Sequence, residues 1–396
     1  MASLLMKQFC GKLFDLNRNV LILMFFLVMV LSFAFYSYLY AFCEALVKHI
    51  QSSNSIQPSN TLLSTVIDRN YPPIVPKKTI LLWTPFFGKK DYVKFSDYYC
   101  DVSNCLFSSN RDLLNVSDAV VFHMRDVNLK DLPSLRTPDQ RWVLLHHEAP
   151  PHSPKDTVIG LDHLINWTIT YRLDSDIVLT SKLVPKVESV QIQANSIDYA
   201  ANKTRMVAWF VSNCRTPSRR EDYVNELRRT VTVDIYGDCG EHRCVQKMSP
   251  KCYNDAARDY RFYLSFENSL CKDYVTEKFF APMRYNIVPI VFGGANYSLF
   301  APSGSYINAD LFSSPRALGN YLIQLSKDKN RDKYNSYYDW KKKYEYVLDP
   351  YPCQLCKKLN DKLEPVKTWN NLDKWWFEDA QCKQWLSSTE PWLFRQ

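Results

Sequence analysis

The sequence lacks any clustered stripe of like charge. Its 49 Lys and Arg are interleaved with 41 Asp and Glu, so the formal net charge of +8 is spread along 396 residues. Nucleic-acid binding draws on a basic face or run, and that partner class is excluded. No internal repeat is visible, which excludes a solenoid. Charge itself is missing from one stretch: between Asn19 and Cys43 no residue is charged and most are apolar. At about 1.5 Å per residue, such a run crosses a hydrocarbon core of roughly 30 Å. Lys7, Lys12 and Arg18 precede it, whereas beyond Lys48 no Lys or Arg occurs until Arg69. The cationic excess predicts a cytosolic tail over 1–18, a transmembrane signal anchor over 19–43 and a lumenal remainder. A cleaved signal peptide has a shorter apolar region and a small-x-small exit, and Tyr40–Cys43 matches neither.

Cysteine usage agrees with a lumenal location. Of 12 cysteines, only Cys10 and Cys43 lie before or within the run. Cys100, Cys105, Cys214, Cys239, Cys244, Cys252, Cys271, Cys353, Cys356 and Cys382 follow it, an even set that suggests disulfides whose pairing the spacing does not reveal. Glycosylation sequons begin at Asn115, Asn166, Asn202 and Asn296.

Residues 44–78 hold QSSNSIQPSN and PPIVPKK with little periodicity and read as a stem. Beyond them, short β-branched runs alternate with helix-like segments. Strands are predicted at Thr79–Trp83, Asp118–His123, Trp142–His147, Met206–Ser212, Val231–Tyr236, Phe262–Phe266 and Ile287–Phe292. Ser218-Arg219-Arg220-Glu221 has the form of a capping box, followed by Tyr223, Val224 and Leu227 on one helix face. Such alternation predicts an α/β fold. The polar stretch from about Lys186 to Arg205 divides it, so two Rossmann-like halves facing a cleft are expected, 79–190 and 191–350, with the tail 351–396 packing back onto one half.

The most informative stretch is RFYLSFENSLCKDYVTEKFF, from Arg261 to Phe280. A strand ends in Glu267 and Asn268, and a helix beginning near Asp273 would carry Thr276, Glu277 and Lys278 in its first turn. In open α/β sheets, ligands bind beyond the carboxyl ends of strands, where helix N-termini meet phosphates. A lysine there suits a diphosphate, and a carboxylate suits ribose hydroxyls. The plain alternative is a charged helix with both side chains in water.

FYLSFENSLCKDYVTEK resembles the signature of the α1,3-fucosyltransferases. WTPFFG, DAVVFH, NWTITYRLDSDI, VSNC, VPIVFGGANY and SYINADLF match the family in the same order, over about residues 79–315. The resemblance implies a two-domain GT-B-like fold, a single-pass type II anchor in the Golgi membrane and GDP-β-L-fucose as donor. Carried over by position, it implies a donor site of Arg220, Asn268, Tyr274, Glu277 and Lys278. Lys278 and Arg220 would face the diphosphate, Glu277 the ribose and Tyr274 the nucleoside side. Arg219 adjoins Arg220, and a one-residue shift would exchange them.

His146-His147-Glu148-Ala149-Pro150-Pro151-His152 follows the third predicted strand. It is no zinc helix: the spacing is one residue too long, and the prolines forbid the helix that would align the histidines. The matching family motif makes its glutamate the general base, which assigns Glu148 to take the proton from the acceptor hydroxyl. The bland reading is a structural acceptor for loop N–H groups. Asp174-Ser175-Asp176 resembles a manganese-binding Asp-x-Asp, but in this family the run supports the fold, so no obligatory metal is expected and manganese would only stimulate. Cys353-x-x-Cys356 is expected in disulfides that tie down the tail. Cys271 replaces the histidine of many Lewis-type relatives and points to the invertebrate and core-directed branch. The expected acceptor is O3 of a GlcNAc, in the N-glycan core or on outer LacNAc or LacdiNAc arms. The rival class is a non-catalytic, lectin-like type II protein.

Overall fold

A computed structural model describes residues 77–186, 197–244, 249–387 and 392–394. The charge-free run, the tail before it, most of the 44–78 stem and the expected junction at 190/191 lie outside these residues. Among the described residues, no helix is long and apolar enough to cross a membrane.

The first sheet contains β1 (Lys78–Leu82), β2 (Cys105–Ser108), β3 (Ala119–His123), β4 (Arg141–Leu145), β5 (Trp167–Thr170) and β6 (Ile177–Val178). After β7 (Lys182–Pro185), the second sheet is built from β8 (Arg205–Phe210), β9 (Val233–Tyr236), β10 (Tyr260–Phe266), β11 (Val288–Phe292) and β12 (Ile307–Asn308). Every pairing inside both sheets is parallel. The spatial orders are β2-β1-β3-β4-β5-β6 and, read from the matching edge, β9-β8-β10-β11-β12. The two sheets therefore share one winding, and each reverses direction between its first and third strands. Ligands of such sheets bind outside the carboxyl ends of the strands at that reversal.

Side-chain alternation explains why these runs become strands buried on both faces. Val120, Phe122, Trp142 and Leu144 point to one side of the first sheet, and Ala119, Val121, Val143 and Leu145 to the other. The chain's last segments cover both sides. Leu355 and Cys356 of the helix Tyr351–Asn360 join one cluster, and Leu372, Trp375 and Trp376 join the other. In the second sheet, Trp209, Leu264, Phe266, Ile290 and Phe292 meet Tyr223, Val224 and Leu227 of the helix Arg220–Leu227. The helix Pro315–Leu325 adds Leu318, Leu322 and Leu325 at the three- and four-residue spacing of one face.

Two expectations are corrected here. The tail does not pack on one half alone, because Trp385 of β14 (Lys383–Trp385, following β13 at Tyr344–Val347) enters the second sheet's core beside Tyr223. The capping box at Ser218 does not form. The helix starts at Arg220, after Arg219 in the left-handed region (φ 55°), and the Glu221 carboxylate instead accepts from the Thr216 hydroxyl at 3.0 and 3.1 Å.

The disulfides join Cys100 to Cys353, Cys105 to Cys356, Cys214 to Cys239, Cys244 to Cys252 and Cys271 to Cys382. Both cysteines of the Cys353-x-x-Cys356 pair thus fasten the helix Tyr351–Asn360 to the first sheet's margin.

Candidate active site

β4 ends at Leu145, two residues short of the predicted end, which puts His146, His147 and Glu148 in the loop beyond the sheet. Prolines at the first positions of the turn Pro150–His152 set its entry. His146 is fully buried, with Nε2 2.9 Å from Ser153 Oγ. Burial, reinforced by neighbouring cationic groups, holds its imidazole well below the usual pKa, so it is neutral. Glu148, half-buried, opens into a cleft of about 570 Å³.

β10 supplies the opposite wall. Its strand runs straight into Glu267, which is fully buried. The Glu267 carboxylate accepts from Thr276 N–H at 2.8 Å and from the Thr276 hydroxyl at 3.0 and 2.9 Å, and it lies 3.4 Å from Lys278 Nζ. Thr276 in turn caps the helix Glu277–Met283, its side chain accepting from Lys278 N–H. The helix does not begin near Asp273, as the sequence suggested. Asp273 is left-handed (φ 62°), and the cap that satisfies the first N–H groups comes three residues later.

Lys278 Nζ donates to Thr276 Oγ1 at 2.9 Å and pairs with Glu277 Oε1 at 3.1 Å. Desolvation opposes its charge, but Glu267 and Glu277 together keep the ammonium above its ordinary pKa. Burial raises the Glu267 carboxyl despite Lys278. Desolvation between the cleft walls also works against ionised Glu277, yet Lys278 outweighs it and keeps that carboxyl below its usual value. The Glu277 and Lys278 side chains remain 57% and 22% exposed. Two ionised groups are therefore held side by side and open to the cleft, ready to exchange their mutual contact for a ligand's.

Glu148, Tyr274, Glu277 and Lys278 all line this cleft. Tyr274 is buried and meets Tyr171 edge-on, with ring centroids 4.7 Å apart. Arg220 and Asn268 lie outside the lining. Arg220 is only 3% exposed and spans the second sheet's reversal point, donating to Phe266 O at the end of β10 at 2.6 Å and to Asn213 O beyond β8 at 3.3 Å. Its Nε also donates to Glu221 at 3.3 Å. Asn268 adjoins Glu267, and its Oδ1 is buried with no partner among the described residues. Gly294 closes the other side of this loop: a Cβ there would stand 2.5 Å from Leu270 C and 2.6 Å from Cys271 N. Glu267 is the residue the sequence reading passed over. The only sequence sign was its place at the end of an apolar strand.

The Asp-Ser-Asp run is committed to the fold. Asp174 is held by Arg172 at 2.9 and 2.7 Å, and Asp176 by Lys367 at 2.6 Å and by Trp369 Nε1 at 3.0 Å. Among the sequons, Asn115, Asn202 and Asn296 are exposed. Asn166 is a correction. It is buried, its Oδ1 accepts from Trp142 N–H at 2.8 Å and its Nδ2 donates to Lys367 O at 2.7 Å, so no glycan can sit there in the folded chain.

Two family models match the chain. "Fucosyltransferase, N-terminal" covers residues 75–182, and "Glycosyltransferase family 10 (fucosyltransferase) C-term" covers residues 200–375. Glycoprotein 3-alpha-L-fucosyltransferase A of Drosophila melanogaster is 38% identical over 320 residues, 77% of this chain and 61% of that protein. Alpha-(1,3)-fucosyltransferase C of the same organism is 35% identical over 77% of this chain and 79% of that protein. The bovine 4-galactosyl-N-acetylglucosaminide 3-alpha-L-fucosyltransferase 9 is 34% identical over 76% and 82%. A solved α1,3-fucosyltransferase with GDP-fucose aligns at a TM-score of 0.46 and 15% identity, over 78% of this chain and 96% of that one.

Proposed function

Since the chain belongs to glycosyltransferase family 10, the fucosyltransferases, we propose that it moves L-fucose from GDP-β-L-fucose, with inversion, to O3 of a GlcNAc in the N-glycan core. The observation that carries this reading is that Glu148 and the Glu277–Lys278 pair line one cleft from opposite walls. The Glu148 carboxylate takes the acceptor O3 proton as O3 attacks the fucose anomeric carbon. The bond from that carbon to the diphosphate oxygen breaks on the far side, and GDP leaves as an anion. No second carboxylic acid is required, because GDP departs without protonation.

Lys278 exchanges Glu277 for the diphosphate, and Glu277 turns to the ribose hydroxyls. A guanidinium has five N–H donors, and the bonds described above use three of those on Arg220. The remaining two are buried behind the cleft lining, and from there the guanidinium adds positive charge to the donor wall beside Lys278, the diphosphate's second cationic influence from the sheet's reversal point. The engagement of Asp174 and Asp176 with Arg172 and Lys367 supports chemistry without an obligatory metal, manganese being at most a stimulant. The charge-free run and the disulfides support a type II protein of the Golgi membrane with its catalytic part in the lumen. The core acceptor is favoured by the Drosophila glycoprotein enzyme's 38% identity, and the bovine galactosyl-GlcNAc enzyme's 34% keeps the outer arm as the second reading.

The test is product mass spectrometry of the full chain with GDP-fucose, an N-glycan core and a LacNAc arm, with and without EDTA. Fucose on the core GlcNAc in both conditions is expected. Transfer only to the arm would replace the acceptor, loss with EDTA would replace the metal-free step, and GDP binding without transfer would leave the lectin-like reading. Glu148→Gln should lower kcat by about 10² or more with GDP affinity nearly unchanged; near-normal kcat would remove Glu148 from the mechanism.

A further inference from the structure

The family match ends at residue 375, yet the chain beyond it touches both walls of the cleft. Trp375 and Trp376 sit in a π-helical turn, Lys374–Glu378, closed by Asp379 N–H on Lys374 O at 3.1 Å. The wider turn turns two successive indoles inward, 7% and 0% exposed. Trp376 Nε1–H donates to Ser153 Oγ at 2.9 Å. That hydroxyl donates to Ala149 O at 3.1 Å and lies 2.9 Å from His146 Nε2. With the Ser153 proton directed to Ala149 O, the two lone pairs of Oγ receive the indole N–H and the His146 Nε2–H. His146 and Ala149 bracket Glu148 in the chain, so one indole N–H orients the loop that carries the base.

A few residues later the same segment reaches the donor wall. Lys272 N–H donates to Ala380 O at 2.8 Å and Lys383 N–H to Leu270 O at 2.9 Å, while Cys382 is bonded to Cys271. Trp385 N–H donates to Ser218 O at 3.2 Å, in the turn that leads into Arg220. Within about ten residues the segment is therefore fastened through the Trp376 indole to the base loop, and through its backbone to the loop between Glu267 and Lys278 and to the turn before the Arg220 helix. The first sheet also reaches the donor loop through Leu173 N–H on Asp273 Oδ2 at 3.4 Å and the Tyr171–Tyr274 ring contact, but from the segment after β5 and not from the loop that carries Glu148.

We infer that Trp376–Trp385 is a positioning strap that sets the separation between the Glu148 loop and the donor loop, with Trp376 the positioning residue for the base and the Cys271–Cys382 bond that for the donor. The inference rests on the proposed roles of Glu148 and of Glu277–Lys278. Near-attack geometry is steep in distance, a misplacement of about 1 Å costing up to 10²-fold in rate, so a strap of this kind acts on rate and affinity separately.

The experiment uses the full chain and reads kcat, GDP affinity by calorimetry and the melting temperature together. Trp376→Phe keeps the buried ring and removes the N–H. It should lower kcat about tenfold with GDP affinity within about twofold. Ser153→Ala should give a similar loss, and the double variant no further one, because both break the same link. Cys271→Ser combined with Cys382→Ser should weaken GDP about tenfold while kcat at saturating donor stays within about threefold. Losses of kcat and GDP affinity in equal proportion, tracking the melting temperature, would reduce the strap to packing; additive Trp376 and Ser153 effects, or unchanged kinetics, would also overturn it. A wild-type chain that binds GDP but transfers no fucose would instead sink the proposed function, and the GDP arm of the cysteine variants would still judge the donor half of the strap.

Discussion

Glu267 organises the donor wall at the scale of single side chains. Its carboxylate, buried behind the cleft surface, holds the Thr276 N–H and hydroxyl and faces the Lys278 ammonium, both of which line the cleft. Truncation to alanine strands the Thr276 N–H, while Lys278 keeps Glu277 and the cleft. Glu267→Ala should therefore destabilise the fold by about 1–3 kcal/mol in denaturant unfolding. Glu267→Gln, which keeps an acceptor for Thr276, should cost less than half as much. Equal losses in both variants would mean that charge, not the bond to Thr276, is what matters. His146 and His123 add a pH dependence. Burial holds both imidazoles below their usual pKa in the folded chain. Their ordinary value in the unfolded chain is about 6.5. The unfolded chain alone takes up these protons once the pH drops below that value. Stability is therefore complete above about pH 6.5 and falls below it, by up to roughly 1.4 kcal/mol per unit for each histidine. His146→Gln should flatten the decline seen by thermal unfolding between pH 7 and 5; an unchanged slope would show that His146 is not one of the titrating groups.

At the scale of elements, what was legible depended on whether the signal is local. The apolar runs that became β1, β3, β4, β8, β9, β10 and β11 announce themselves, because a strand covered on both faces needs no polar alternation. Four parallel strands had no such signal. β2 is a half-exposed edge strand, β6 and β12 are two residues long, and β5 is the short Trp167–Thr170 inside a motif read for other reasons. Helix starts failed at Ser218 and Asp273 because competing partners were invisible: Thr216 captures Glu221, and buried Glu267 makes Thr276 the cap. Glu148, Tyr274, Glu277, Lys278 and a cleft between two halves could be named in advance, but not the buried bond from Thr276 to Glu267 that sets the pair in its wall, because it joins a strand end to a helix cap nine residues away. Gly294 tests that arrangement. A methyl group there collides with the backbone of Leu270 and Cys271, not with a movable side chain. Gly294→Ala should push the donor loop outward and weaken GDP by roughly tenfold or more in calorimetry, whereas full affinity would mean that the loop shifts without carrying Glu277 and Lys278 along.

For the whole molecule, the constraints of longest sequence separation include two covalent ones. Cys100–Cys353 and Cys105–Cys356 join residues 253 and 251 positions apart, and together they pin the helix Tyr351–Asn360 against the first sheet. Closing a loop of that length removes unfolded-state entropy worth on the order of 5 kcal/mol in the chain-entropy treatment. The two loops are nearly coextensive, so the second bond adds much less than the first. Cys100→Ser with Cys353→Ser should thus lower stability only modestly while Cys105–Cys356 survives, and the reverse pair should behave alike. Breaking both should produce a loss well beyond the sum of the two single-bond removals, because only then is the loop opened. Denaturant unfolding of the three variants reads this directly. Additive losses would mean that each bond stabilises its own surroundings in the folded state, Cys356 in the buried cluster beside Leu355 and Cys353 at the half-buried helix start, and that loop closure is not the dominant contribution.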